Sequence, residues 1–471
     1  MKKLTLLLIL VTLANLGFGQ YNVNLHVSNF NGFQRTHEKN PDSALFFLRN
    51  LAALDHNSTD DLLHNSFAQE FLEFDETKLF ENGAFLESLK KHNVTVDSAR
   101  KRFKEKRKNA YIILEQIKHD ANTEIRDNAY GISHWVDAQD NLNNTEKLRI
   151  IGNEYLKYLT QSTDFYSQRK ARYGLLIAKV MYNNEKLRSN ADLIIQRIYQ
   201  NLKDHQIGES SNISRSIQEQ RSWYRYMLAY CNFILSQNPQ LDKDEKLTYL
   251  KFAFQYSPDA LDKSVKHAYF YDMIFLFGDE KSSFEDDYIA VLGNDADKLD
   301  VMMTVSMTDP SYKAKAKALF KDQEKFKDVW LEEFNKKAKP APIFALKQID
   351  GKQYSLEQSK GSWTLIDFWG TWCEPCRREH PDLQKVYNSA INGEMPKLNL
   401  ITIASRDTES AVKAYLKNFG YSFPVIMSDT QIETSYHVSS WPSKFLVSPQ
   451  GRYIVIPFGV DWRRYISEYI N

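Results

Sequence analysis

Cys373-Glu374-Pro375-Cys376 closes an apolar run and opens a helical one. The run Trp363-Thr364-Leu365-Ile366-Asp367-Phe368-Trp369 predicts a buried strand, and Arg377 to Tyr387 predicts a helix. A Cys-x-x-Cys pair at a strand-to-helix turn restricts the local fold sharply. The first sulfur falls at the helix N-terminus, where unpaired backbone N–H groups and the helix dipole stabilise an anion. Thiol chemistry runs through the thiolate, so a cysteine placed there becomes reactive. The chain has three cysteines in all, Cys231, Cys373 and Cys376, too few for a disulfide-stapled scaffold. The pair therefore reads as chemistry. Cys231 sits in the apolar helical stretch Leu228-Ala229-Tyr230-Cys231-Asn232-Phe233 and reads as a buried, inert thiol.

The 471 residues exceed one typical core, so two or three domains are expected. Sixty-one Lys and Arg against 60 Asp and Glu leave no basic excess, which argues against a nucleic-acid binder. Residues 1–19 predict a secretory signal. Lys2 and Lys3 form its positive start, Leu4 to Leu13 its apolar stretch, and Gly17-Phe18-Gly19 a small-residue cleavage site before Gln20. No cysteine lies there to anchor a lipid. The apolar run is shorter than the ~20 residues a membrane span needs, so a cleaved signal is preferred to an anchor. The expected location is the periplasm or another exported compartment, where disulfides are permitted.

Residues 20–335 predict an all-α domain, either an irregular bundle or a solenoid-like array of helical hairpins without a fixed period. Helical spacing recurs in Ala44 to Leu48, Tyr111 to Leu114, Tyr155 to Leu159, Tyr173 to Tyr182, Ala191 to Leu202, Trp223 to Leu235 and Lys246 to Tyr256. The basic run Arg100 to Lys108 reads as a solvated helix face. Lys313 to Lys337 predicts one long amphipathic helix with Leu319, Phe326, Trp330 and Phe334 near one face. The Lys/Pro/Ala stretch at 336–342 cannot continue it through two prolines and is assigned as a linker.

From residue 343 the pattern alternates. Strands are expected at Ile343 to Ile349, Trp363 to Trp369, Leu398 to Ala404, Phe423 to Met427, Ser443 to Val447 and Arg452 to Phe458. Helices are expected after Cys376, at Glu409 to Phe419 and at the C-terminus. Such alternation argues for an α/β domain over 343–471 with a mixed sheet, its last two strands joined as a hairpin through Ser448-Pro449-Gln450-Gly451.

Three stretches carry a family resemblance. They are Ile343-Phe344 with Asp350-Gly351-Lys352, the segment Asp367 to Glu379 around the cysteines, and Phe423-Pro424-Val425 with Val438 to Ser443. Together they resemble the thioredoxin fold, and within it the TlpA/ResA-type exported thiol–disulfide oxidoreductases. The resemblance covers about residues 338 to 471. It implies that Cys373 attacks a substrate disulfide and that Cys376, one turn inside the helix, resolves the mixed disulfide. Pro375 stiffens the turn without needing an N–H. Glu374 either raises the Cys373 pKa by like-charge repulsion or faces solvent with little effect. Asp367 stands where thioredoxins carry a buried carboxylate, which would take the proton of Cys376; the other reading is a strand-end residue that reaches solvent. Pro442 is the candidate cis-proline, whose neighbour Trp441 faces the dithiol and, with Trp372, contacts substrate. The family usually has a smaller residue at Trp441. Pro381 matches the helix-kinking proline, and the adjacent His380 reads as a surface or packed histidine.

Other readings of the cysteine pair fare worse. Zinc needs about four ligands, and no second Cys-x-x-Cys partner exists. Covalent haem attachment needs His after the second cysteine, where Arg377 stands. Ile366 and Gly370 occupy the places of the Pro and Thr that precede a peroxiredoxin's reactive cysteine. No metal and no prosthetic group is implied. The reading is an exported reductant of disulfides in other exported proteins, supplied with electrons by a membrane donor. The alternative is a partner-binding helical protein, docking a protein or peptide, with an accessory or regulatory thioredoxin domain.

Overall fold

A computed structural model describes residues 20–72, 80–204, 215–257, 272, 274–275, 281, 283–320, 322, 325–395 and 398–470. The expected signal at 1–19 lies outside the described residues. The chain forms two compact units, Met1–His205 with Phe270–Lys281, and Gln206–Tyr269 with Ser282–Asn471.

The first unit is built of helices, among them Pro41–Ala52, Val96–Ile117, Thr123–Asp140, Thr145–Thr160, Lys170–Tyr182 and Arg188–Asp204. Polar residues between the apolar stretches start them. Asn40, Thr95, Asn122 and Asn144 each accept a backbone N–H from the first turn of the helix that follows. The basic run lies on Val96–Ile117, where Arg102 and Lys106 pair with Glu38, and Lys106 also with Glu70. A polar knot sits in the core. The buried His64 ring lies 2.9 Å from both the Tyr173 hydroxyl and Asn128 Oδ1, and Arg172 donates to the His64 carbonyl and to Asp272.

The second unit joins helices to a sheet. The sheet strands are β1 (Lys339–Pro340), β4 (Trp363–Trp369), β5 (Leu398–Ala404), β6 (Val425–Met427), β7 (Ser443–Val447) and β8 (Arg452–Ile456), in the order β1-β8-β7-β4-β5-β6. β2 (Ala345–Lys347) and β3 (Gln353–Ser355) form a separate hairpin. β4, β5 and β6 run parallel, linked by the helices Glu374–Ile391 and Glu409–Phe419; β7 and β8 are antiparallel and joined by a turn at Gly451, φ 78°. β4 is buried along its whole length, as its mostly apolar sequence requires, and the burial takes Thr364 and Asp367 with it.

Two expectations need correction here. The long helix over 313–337 is two helices, Ser311–Leu319 and Phe326–Lys337. Phe320 is extended, at φ −83° and ψ 122°, which ends the first of them. Nor does the division into compact units fall at 336–342. Pro340 lies in β1, an edge strand opposite Arg452, where its missing N–H costs nothing. One core continues from the preceding helices into the sheet: Trp330 and Phe334 pack against Trp363 and Tyr469. Lys313 donates to the carbonyls of Glu468 and Tyr469 at the end of the terminal helix.

Candidate active site

Cys373 caps the helix Glu374–Ile391. Its sulfur accepts the Cys376 N–H at 3.2 Å, and its carbonyl accepts the Arg377 N–H at 3.1 Å. Pro375 lies in the first turn, where its missing N–H is an orphan in any case. Cys373 and Cys376 are joined as a disulfide, with Cα atoms 5.3 Å apart. Cys376 is 1% exposed and Cys373 4%. Access to the Cys373 sulfur in the disulfide form is narrow.

Aromatic side chains crowd the rim. Trp372, next to Cys373, stays 50% exposed and donates its indole N–H to the Ser405 carbonyl at 3.1 Å. Gly370 is required beneath it, because a Cβ there would collide with the indole. Trp441 meets Trp372 edge-on at 5.4 Å, and the Trp441–Pro442 peptide is cis. The Arg406 guanidinium lies 4.5 Å over the Trp441 ring. Glu374 is exposed and paired with Arg378 at 3.2 Å. The sequence candidates for substrate contact, Trp372, Trp441 and Pro442, lie at this rim; Arg406 is not among them, because no periodicity marks it.

The domain core also holds a buried charged cluster. Asp367, 2% exposed, sits opposite Lys444 in the β4–β7 register, with Oδ1 3.0 Å from Lys444 Nζ. Burial pushes the Asp367 carboxyl up to about 6, against the pull of Lys444. Asp367 shares a face of β4 with Leu365 and Trp369, alternating with Ile366 and Phe368, and so lies on the side of the cluster that contains Cys373 and Cys376. His380 is packed inside, its Nδ1 2.9 Å from the Tyr415 hydroxyl and its ring edge-on to Trp369 at 4.5 Å. Pro381 follows within the helix. Among the described residues, no group of three or more His, Cys, Asp or Glu could hold a metal, and no helix is long and apolar enough to cross a membrane.

Residues 338–454 match the AhpC/TSA family. Over 132 residues, 28% of this chain and 72% of the relative, the sequence is 32% identical to thiol-disulfide oxidoreductase ResA of Bacillus subtilis. The chain belongs to the ResA family through its C-terminal part. Thioredoxin-like protein YneN of Bacillus subtilis is 31% identical over 114 residues, covering 24% of this chain and 65% of YneN. A solved thiol:disulfide interchange protein of the thioredoxin family from Chlorobium tepidum aligns with 28% of this chain and 97% of its own, at 27% identity and a TM-score of 0.26. The ResA-type part is a thioredoxin-like thiol–disulfide oxidoreductase domain, as the sequence resemblance implied.

Proposed function

We propose that the chain is an exported protein that reduces disulfides in other exported proteins through Cys373 and Cys376. The observation that carries this reading is the placement of Cys373 at a helix N-cap, its sulfur on the Cys376 N–H. In this reading the reduced Cys373 attacks a substrate disulfide as a thiolate and forms a mixed disulfide. Cys376 loses its proton to Asp367, attacks Cys373 and releases the reduced substrate. Pro375 fixes the turn, and Glu374, its charge shared with Arg378, adjusts the potential. Trp372, Trp441 and cis-Pro442 dock the substrate chain beside the sulfurs. The apolar start at Leu4 to Leu13 supports export, and a membrane donor returns the dithiol to its reduced state.

Insulin reduction by wild type, Cys373→Ser and Cys376→Ser tests the chemistry. Loss of turnover in both variants is expected; turnover surviving without Cys373 refutes it. Cys376→Ser in cells should hold a mixed disulfide with the substrate. A reduction potential near about −270 mV supports a reductant, and one near about −120 mV reverses the direction.

A further inference from the structure

The buried pair Asp367–Lys444 has a third member. Glu379 reaches Lys444 Nζ at 2.5 Å from the active-site helix, its side chain 36% exposed, while Asp367 approaches the same nitrogen at 3.0 Å from β4. Two carboxylates thus share one buried ammonium. In an isolated buried pair, protonating the carboxylate would strand the ammonium away from water, at a heavy desolvation cost. With Glu379 present, Lys444 keeps a counter-ion in either state of Asp367. We infer that Lys444 and Glu379 are positioning residues of the redox site, and that they let the buried Asp367 carboxyl change protonation state without leaving a charge unpaired.

This inference rests on the reading of Asp367 as the base for Cys376. In that step the Cys376 thiol passes its proton to the Asp367 carboxylate. The Cys376 thiolate then bonds to Cys373 Sγ as the bond between Cys373 and the substrate sulfur breaks. The substrate sulfur leaves as a thiolate and is protonated by water, so two electrons have passed from the dithiol to the substrate disulfide. Across the proton transfer the three-residue cluster goes from one net negative charge to neutral, and at no point does it hold an unpaired cation.

Among the described residues, the charged and titratable groups around Asp367 come from three elements. β4 brings Asp367, β7 brings Lys444, and the active-site helix brings Arg377, Glu379 and His380, while the Trp462 ring of the terminal helix lies 5.4 Å from Lys444 Nζ. His380 is held neutral by burial, down to about 3. Lys444 and Glu379 therefore act on Asp367 with opposite sign. The ammonium favours its carboxylate, and the second carboxylate favours its acid form.

The test uses the full chain, reduced and freed of reductant, reacting with the aromatic disulfide 5,5′-dithiobis(2-nitrobenzoic acid). Attack by Cys373 releases the first thiolate, and resolution by Cys376 releases the second in a first-order phase. The rate of that second phase is followed from pH 5 to 8.5. Wild type should show an inflection near the Asp367 value of about 6. Glu379→Gln should move it down and Lys444→Met up, each by about one pH unit or more, and Asp367→Asn should abolish it. An inflection that survives Asp367→Asn refutes Asp367 as the base. If Asp367→Asn abolishes it but Glu379→Gln and Lys444→Met leave it unmoved or move it the same way, the positioning role is overturned. Should circular dichroism show Lys444→Met unfolded, the part-exposed Glu379→Gln decides alone: a downward move supports the inference, and no move or an upward one ends it.

Discussion

Acid should weaken the second unit through His380. The ring is 1% exposed, wedged edge-on between Trp369 and Phe423, and its Nε2 has no hydrogen-bond partner among the described residues. Burial, followed by the charges of Lys444 and Arg377, pushes its pKa down to about 3. In an unfolded chain the same imidazole titrates near ~6.5. Between those values the unfolded chain binds a proton that the native protein refuses. The stability this neutral histidine contributes is therefore whole above the unfolded value and drains away as pH falls toward the folded one. Well inside that window each pH unit is worth about 1.4 kcal/mol, so going from pH 6.5 to pH 5 removes about 1.6 kcal/mol, and reaching pH 3 removes about 4 kcal/mol.

Urea unfolding of wild type and His380→Phe at pH 7 and pH 5 isolates this contribution. Tryptophan fluorescence is the signal, because seven of the eight tryptophans lie in this unit, Trp135 being the exception. Phenylalanine keeps the ring among Trp369, Tyr415 and Phe423 and gives up the bond to the Tyr415 hydroxyl. The gap between the two proteins at either pH is thus of no consequence; its change is. His64 in the first unit, also pushed by burial to about 3, cancels because both proteins carry it. Wild type should lose about 2 kcal/mol more than the variant between the two conditions. A gap constant to within about 0.5 kcal/mol, less than half of one pH step, would refute the burial argument.

Trp330→Ala should lower the stability of the second unit by about 3–5 kcal/mol in the same urea assay, because it empties the contact between Phe334, Trp363 and Tyr469. Gly420→Ala should cost about 1 kcal/mol: Gly420 ends the helix Glu409–Phe419 at φ 71° with open space around it, so only the left-handed backbone resists the new methyl. Trp441→Ala in the reduced protein should speed iodoacetamide alkylation of Cys373 several-fold, read by mass spectrometry; an unchanged rate would show that the Trp372–Trp441 rim does not limit access.

Elements in which one period and one composition coincided were legible from the amino acids. Trp363–Trp369, Leu398–Ala404 and Ser443–Val447 are the strands their apolar runs marked, and Glu409–Phe419 is the helix its spacing marked. Asp367 was noticed as a polar residue inside such a run; its partner was not. The available sign was Lys444, a lysine inside the short apolar strand Ser443–Val447, but register alone sets it opposite Asp367. Arg406 escaped for a related reason, because its place over Trp441 comes from two loops distant in sequence. At 336–342 the composition of a linker concealed a two-residue edge strand, since proline is compatible with both.

Trp330 and Phe334 come from ahead of the residues that match the AhpC/TSA family, yet they fill one end of the redox core. A chimera that carried residues 343–471 onto another scaffold would leave the indole of Trp363 and the ring of Tyr469 bare on one flank. The helix Phe326–Lys337 has to travel with the sheet. The portable cassette, for an engineer or for recombination, is thus longer than the segment that kinship alone would lead one to excise.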